Sequence, residues 1–200
     1  MLKLHLGSAH CFLSHRGWID HDIDLSYSKS YAKPVTYYDA RERLPYDDAT
    51  ADLIFTSHLI EHITYPEGCH MLAECFRVLK PGGRLRVSTP DIYRLFRLLL
   101  EWVGPAGQEY MDFQHRTFPN EIPRPTACFV VNNFVRAWGH LFIYDAHTLE
   151  EAMALAGFRE IDLWDCGVSE CPEMRDIEPV DRMPPGMFQY ETMTLEGVKP

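Results

Sequence analysis

No run of these 200 residues is long and apolar enough to cross a bilayer. The opening Met1-Leu2-Lys3-Leu4-His5-Leu6-Gly7 holds too short an apolar stretch for an export signal, so a cytoplasmic location and no membrane partner are expected. Patterned cysteine is missing as well. Cys11, Cys69, Cys75, Cys128, Cys166 and Cys171 form no CxxC pair, which reads as reduced thiols rather than a disulfide framework, although Cys166 and Cys171 leave a pairing or a shared metal open. Positive charge is also scarce. A formal charge of −10 argues against a nucleic-acid partner, because binding to phosphates is driven mainly by Lys and Arg. Repeats, low-complexity runs and interdomain linkers are absent, so residues 1–200 are expected to form one domain able to bury a core without covalent staples.

The charge that is present is uneven. Glu160 to Pro200 holds ten acidic and three basic residues, whereas Arg77 to Arg97 holds six basic and one acidic. The basic stretch reads either as a solvated helix face or as an attractor for a small anionic substrate. Short apolar or alternating runs predict strands at Leu2–Leu6, Trp18–Ile23, Val35–Tyr38, Asp52–Thr56, Arg84–Ser88 and Phe158–Trp164, with a last one at Met187–Leu195. Leu72, Cys75, Phe76 and Leu79 recur at helical spacing and predict a helix over about Glu67–Leu79. Thr148 with Glu151, closed by Gly157, predicts another over Thr148–Ala156. Strand and helix in alternation imply a Rossmann-like α/β fold with a mostly parallel sheet, the last strand antiparallel. Residues from about Ile92 to Asp145 break that rhythm. They begin with a helix-like Tyr93–Val103 and read as a lid inserted after the fifth strand.

A doubly wound sheet binds ligands beyond the carboxyl ends of its strands, and four predicted strand ends carry residues suited to that. Gly7-Ser8-Ala9 follows the first, where backbone approaches a ligand closely. Asp22, with Asp24 beyond it, ends the second and offers a carboxylate to a ribose diol. Asp39-Ala40 follow the third, an acid and an amide for an adenine edge. Ser57-His58 follow the fourth. The runs Leu44-Pro45-Tyr46-Asp47-Asp48-Ala49, Ala51-Asp52-Leu53-Ile54, Ser57-His58-Leu59-Ile60-Glu61-His62 and Arg77-Val78-Leu79-Lys80-Pro81-Gly82-Gly83-Arg84-Leu85 resemble class I S-adenosylmethionine-dependent methyltransferases of the type 11 group. Gly17 to Asp22, Trp138-Gly139-His140, Tyr144-Asp145, Ala156-Gly157-Phe158, Ser169 and Pro172-Glu173 are similar to a compact subgroup of them.

That resemblance implies S-adenosyl-L-methionine as cofactor. Gly7, Ser8 and Ala9 would meet its methionine portion, Asp22 its ribose, Asp39 and Ala40 its adenine, with Ser57 and His58 beside the sulfonium. Two departures stand out. Gly7-Ser8-Ala9 replaces the usual Gly-x-Gly, and the ten residues from Ser8 to Gly17 leave no room for a full first helix. His58 is the first catalytic candidate, as a base near neutral pH or as a local hydrogen-bonding group. His140 is the second, with Trp138 and Tyr144 as substrate-pocket walls or simply as core aromatics. Arg94, one turn from Arg97, meets an anionic substrate group or the surface. His58 to His62 also spells HxxEH, but a zinc-protease reading needs a long supporting helix that the preceding strand and Pro66 deny. The cluster is similar, together with His140, to one on which some small-RNA 3′-end methyltransferases hold a metal; otherwise Glu61 and His62 cap the helix start, and no metal is expected. The expected function is methyl transfer to an oxygen or nitrogen of a small polar, sugar-like or carboxylate-bearing molecule. The alternative is a non-catalytic protein that binds S-adenosylmethionine or S-adenosylhomocysteine, or a degenerate one that keeps the fold but has lost productive cofactor binding, and the sequence assigns no oligomeric state.

Overall fold

The computed structural model describes residues 1–100 and 104–200. Among the described residues there are seven strands: β1 Lys3–Leu6, β2 Ile19–Asp22, β3 Thr36–Tyr37, β4 Ala51–Ser57, β5 Leu79–Pro90, β6 Arg159–Trp164 and β7 Thr192–Val198. They form one sheet in the order β3-β2-β1-β4-β5-β7-β6. Neighbours from β3 to β5 run parallel, and β7 runs antiparallel to both β5 and β6. The order reverses between β1 and β4, which puts the crevice of a doubly wound sheet at their carboxyl ends. β4 is buried on both faces, as its unbroken apolar run requires.

Helices α1 Ser26–Tyr31, α2 Tyr65–Val78 and α6 Ala146–Ala156 accompany the sheet. A capping box starts α2: Thr64 and Glu67 bond reciprocally, and the Thr64 amide donates to Glu67 Oε2 at 2.8 Å. Its buried stripe includes Met71, Leu72, Cys75 and Val78, which pack on β1, β4 and β5. Leu79, expected to close this helix, instead opens β5, because the extended chain takes over there and passes Gly82 at φ 78°. The cap expected at Thr148 is also corrected. Asp145 holds that position and accepts the Thr148 amide at 2.8 Å, so α6 begins earlier. The last strand begins at Thr192, since Met187–Glu191 forms a short helix, α7.

The expected insertion is mainly helical: α3 Ile92–Leu100, α4 Gly104–Thr117 and α5 Ala127–Arg136. The end of the expected Tyr93–Val103 helix lies outside the described residues. These helices share a second apolar core that includes Leu95, Tyr110, Ile122, Val130 and Phe134, with Met187 from α7. Between β1 and β2, where there was no room for a full helix, the chain makes a single 3-10 turn at Ser14–Arg16. The acidic tail is tied to the sheet by buried Arg86 of β5, which ion-pairs with Glu178 and Glu196. The basic stretch is neutralised in the same manner, with Arg77 on Glu74 and Asp48, Lys80 on Asp52 and Arg94 on Asp91. Among the described residues no helix is long and apolar enough to cross a membrane.

Candidate active site

Two cavities of about 380 Å³ each open where the sheet order reverses, and Gly7 and His62 line both. Asp22, Asp39, Ala40, Arg41 and Thr64 wall the first of them. Ser8, Ala9, Ser57, His58, His140 and Trp138 wall the second, along with Gln114, Arg182 and Glu191. Gly7 is the hinge between the two. Its φ is 72°, and a Cβ there would stand 2.9 Å from Leu59 Cβ, so only glycine keeps this strand end in place.

The first cavity is suited to a nucleoside. Each Asp22 oxygen accepts one amide, from Ala9 at 2.7 Å and from Asp24 at 2.9 Å, leaving lone pairs for a diol. The Asp39 carboxylate is gripped from both oxygens by Arg41 at 2.5–3.1 Å. That guanidinium holds the carboxyl below its ordinary range and leaves Asp39 and Ala40 as a fixed wall.

The second cavity is polar at its base. His58 sits in the left-handed region at φ 50°, a conformation that costs a non-glycine residue of order 1 kcal/mol and recurs at functional sites. Its ring hydrogen-bonds Thr192 Oγ1 through Nε2 at 2.9 Å and packs on Phe188 of α7. Complete burial, helped by the Arg182 charge, pushes the His58 imidazolium down to about 3. Burial pushes the Glu61 carboxyl up to about 8. The His58–Glu61 contact at 3.5 Å therefore joins two neutral groups at pH 7. Glu191 is raised to about 7 by burial while Tyr110 donates to it at 2.5 Å. It is the acid whose titration falls nearest neutrality on this wall. The buried Ser8 and Ser57 hydroxyls have no partner, as expected of atoms that meet a ligand.

Residues 21–87 match the methyltransferase domain family. A probable S-adenosylmethionine-dependent methyltransferase of Mycolicibacterium smegmatis is 44% identical over 48 residues, 24% of this chain and 18% of that protein. A malonyl-[acyl-carrier protein] O-methyltransferase of Hahella chejuensis is 37% identical over 71 residues, 36% of this chain and 25% of that one. The chain therefore aligns with a quarter or less of either curated relative. The crystal structure of a SAM dependent methyltransferase from Archaeoglobus fulgidus superposes over 98% of this chain and 85% of its own, with a TM-score of 0.61 at 18% identity. This chain has the class I methyltransferase fold.

Within that methyltransferase fold, the structure gathers Gly7, Ser8, Ala9, Asp22, Asp39, Ala40, Ser57, His58, His140 and Trp138 around the paired cavities. Two expected residues lie elsewhere. Arg94 donates to the Gln189 and Thr192 carbonyls and lines neither cavity. Tyr144 is wholly buried, packed on Tyr65 and Phe142 beneath the site. Arg182, Glu191 and Gln114 went unnoticed in the sequence, since no motif surrounds them and only the folding of the tail and α4 delivers them. Glu61, His62 and His140 bring ligand atoms within 4.8 Å of one another, the one metal-capable cluster among the described residues.

Proposed function

We propose that the chain transfers the methyl group of S-adenosyl-L-methionine to an oxygen or nitrogen of a small polar acceptor, sugar-like or carboxylate-bearing. The observation carrying this reading is the pair of cavities joined at Gly7, one with the diol-ready carboxylate of Asp22 and the other with unpaired hydroxyls and a near-neutral acid. The bound cofactor supplies an electrophilic methyl group. Asp22 holds its ribose, Asp39 and Ala40 flank its adenine, and Ser8 and Ser57 meet its amino-acid end. Glu191, rather than His58, takes the acceptor proton, because a carboxyl near 7 matches a neutral operating pH while an imidazolium near 3 makes a weak base. His58, clamped between Thr192 and Phe188, positions the acceptor. Helices α3 to α5 act as the lid and exclude water.

Calorimetric titration with S-adenosylhomocysteine tests the cofactor half: wild type binds, and Asp22→Ala weakens binding about tenfold or more with its melting curve retained. No heat from wild type would sink the reading. A screen of polar acceptors for homocysteine-type product then tests turnover; binding without any product would leave a non-catalytic binder. The Glu61, His62 and His140 cluster favours a metal-assisted variant of the same chemistry, detected as turnover lost to a chelator and restored by a divalent ion.

A further inference from the structure

The cofactor's amino-acid end carries a carboxylate, and the backbone beside it has little to offer. In the loop after β1, the Gly7 and Ser8 amides both donate to the His21 carbonyl at 2.9 Å. The Ala9 amide goes to Asp22, the Cys11 amide to Ser8, and the Leu13 and Ser14 amides to Asp20 at 3.0 Å. Those donors are spent on protein acceptors, and the short Ser14–Arg16 turn provides no helix N-terminus with aligned dipoles. The Ser8 and Ser57 hydroxyls remain as donors but carry no charge, and a buried anion without a counter-charge is costly, so its cationic partner must come from another segment.

Arg182 is that segment's contribution. Among the described residues it is the one Arg or Lys that lines the second cavity, where Gly7, Ser8 and Ala9 also lie. Its guanidinium hydrogen-bonds the Cys11 side chain, and its charge is felt at His10, His58 and Glu191. No ion-pair partner for it occurs among the described residues. Its position is fixed from both sides. Four residues earlier, Glu178 is locked to Arg86 and to the Gly167 amide; beyond it, Met187 and Phe188 of α7 are buried. We propose that Arg182, carried in by the acidic tail, binds the carboxylate of the cofactor's amino-acid end and replaces the amides that the shortened loop withholds. The assignment rests on the cofactor placement proposed above.

Titration calorimetry of wild type and Arg182→Met with two ligands tests it: S-adenosylhomocysteine, and 5′-methylthioadenosine, which keeps the nucleoside and thioether but lacks the amino-acid end. The variant should lose about tenfold or more in affinity for S-adenosylhomocysteine and nothing for 5′-methylthioadenosine, with Arg182→Lys recovering part of the loss. Equal S-adenosylhomocysteine affinity in wild type and variant would overturn the assignment, as would a parallel loss for both ligands, which marks a structural role. A variant with unchanged S-adenosylhomocysteine affinity but a raised acceptor KM would move Arg182 to the acceptor and overturn it too. A wild type that binds neither ligand removes the cofactor reading itself, an outcome separate from the others.

Discussion

At the scale of single residues, the cleft is a set of groups held away from their solution behaviour by burial. Glu191 shows the consequence most directly. Its carboxyl is raised to about 7 by desolvation, against the lowering influence of Tyr110 and Arg182. The folded state therefore keeps a proton that the unfolded chain has released above its ordinary value of 4.5. The contribution of Glu191 to stability must fall as pH rises from about 4.5 towards 7 and level off above, by roughly 3 kcal/mol across the window, on top of an opposite slope from His58, lowered to about 3, and a longer decline from Glu61, raised to about 8. Glu191→Gln, whose amide oxygen still accepts from Tyr110, should flatten that slope in urea titrations taken at several pH values. An unchanged slope would assign the effect to another group. The sequence made Gly7, Asp22 and Ser57-His58 legible because each lies at the end of a strand, and strand ends converge in this topology. Glu191 and Arg182 were illegible for the opposite reason: they reach the cleft from a tail whose path depends on a buried ion pair rather than on any local pattern.

Elements were legible where hydrophobic period and buried faces agreed, as in β4 and α2, and less so at their ends, where two caps compete. Asp145-x-x-Thr148 and Thr148-x-x-Glu151 have the same spacing. The earlier acid prevails because starting at Ala146 lengthens α6 while keeping Leu149, Ala152 and Met153 on the buried face. Asp145→Ala then leaves an amide unpaired in the first turn and should cost about 1 kcal/mol in chemical denaturation. Thr148→Ala, inside the helix, should cost clearly less; the reverse order would return the cap to Thr148. The same competition explains α7. Alternation over Met187–Leu195 looks like one strand, yet Gly186 at φ 85° turns the chain first, and a helical turn sets Phe188 under His58 before β7 begins.

At the scale of the whole molecule, Arg86 connects the sheet to the part of the cleft that sequence patterns missed. Its guanidinium meets Glu178 and Glu196, and the same two carboxylates accept from Ser88, Gly167 and Ser169. Arg86, both carboxylates and both serines are buried, so removing the cation strands Glu178 without a counter-charge and leaves Glu196 only the more distant Arg84 at 3.9 Å. Arg86→Met should cost about 3–5 kcal/mol in urea unfolding. Glu178→Gln and Glu196→Gln added to Arg86→Met should recover much of that loss, because neutral amides need no cation. Near-equal stability of Arg86→Met and wild type would show that the tail is held by its apolar contacts instead, Met174 and Ile177 against Phe55 and Trp18. The same variants reach the cleft: with the knot loosened, the segment bearing Arg182 loses its fixed approach, and S-adenosylhomocysteine affinity should fall even in the restabilised triple variant, where unfolding no longer explains the loss.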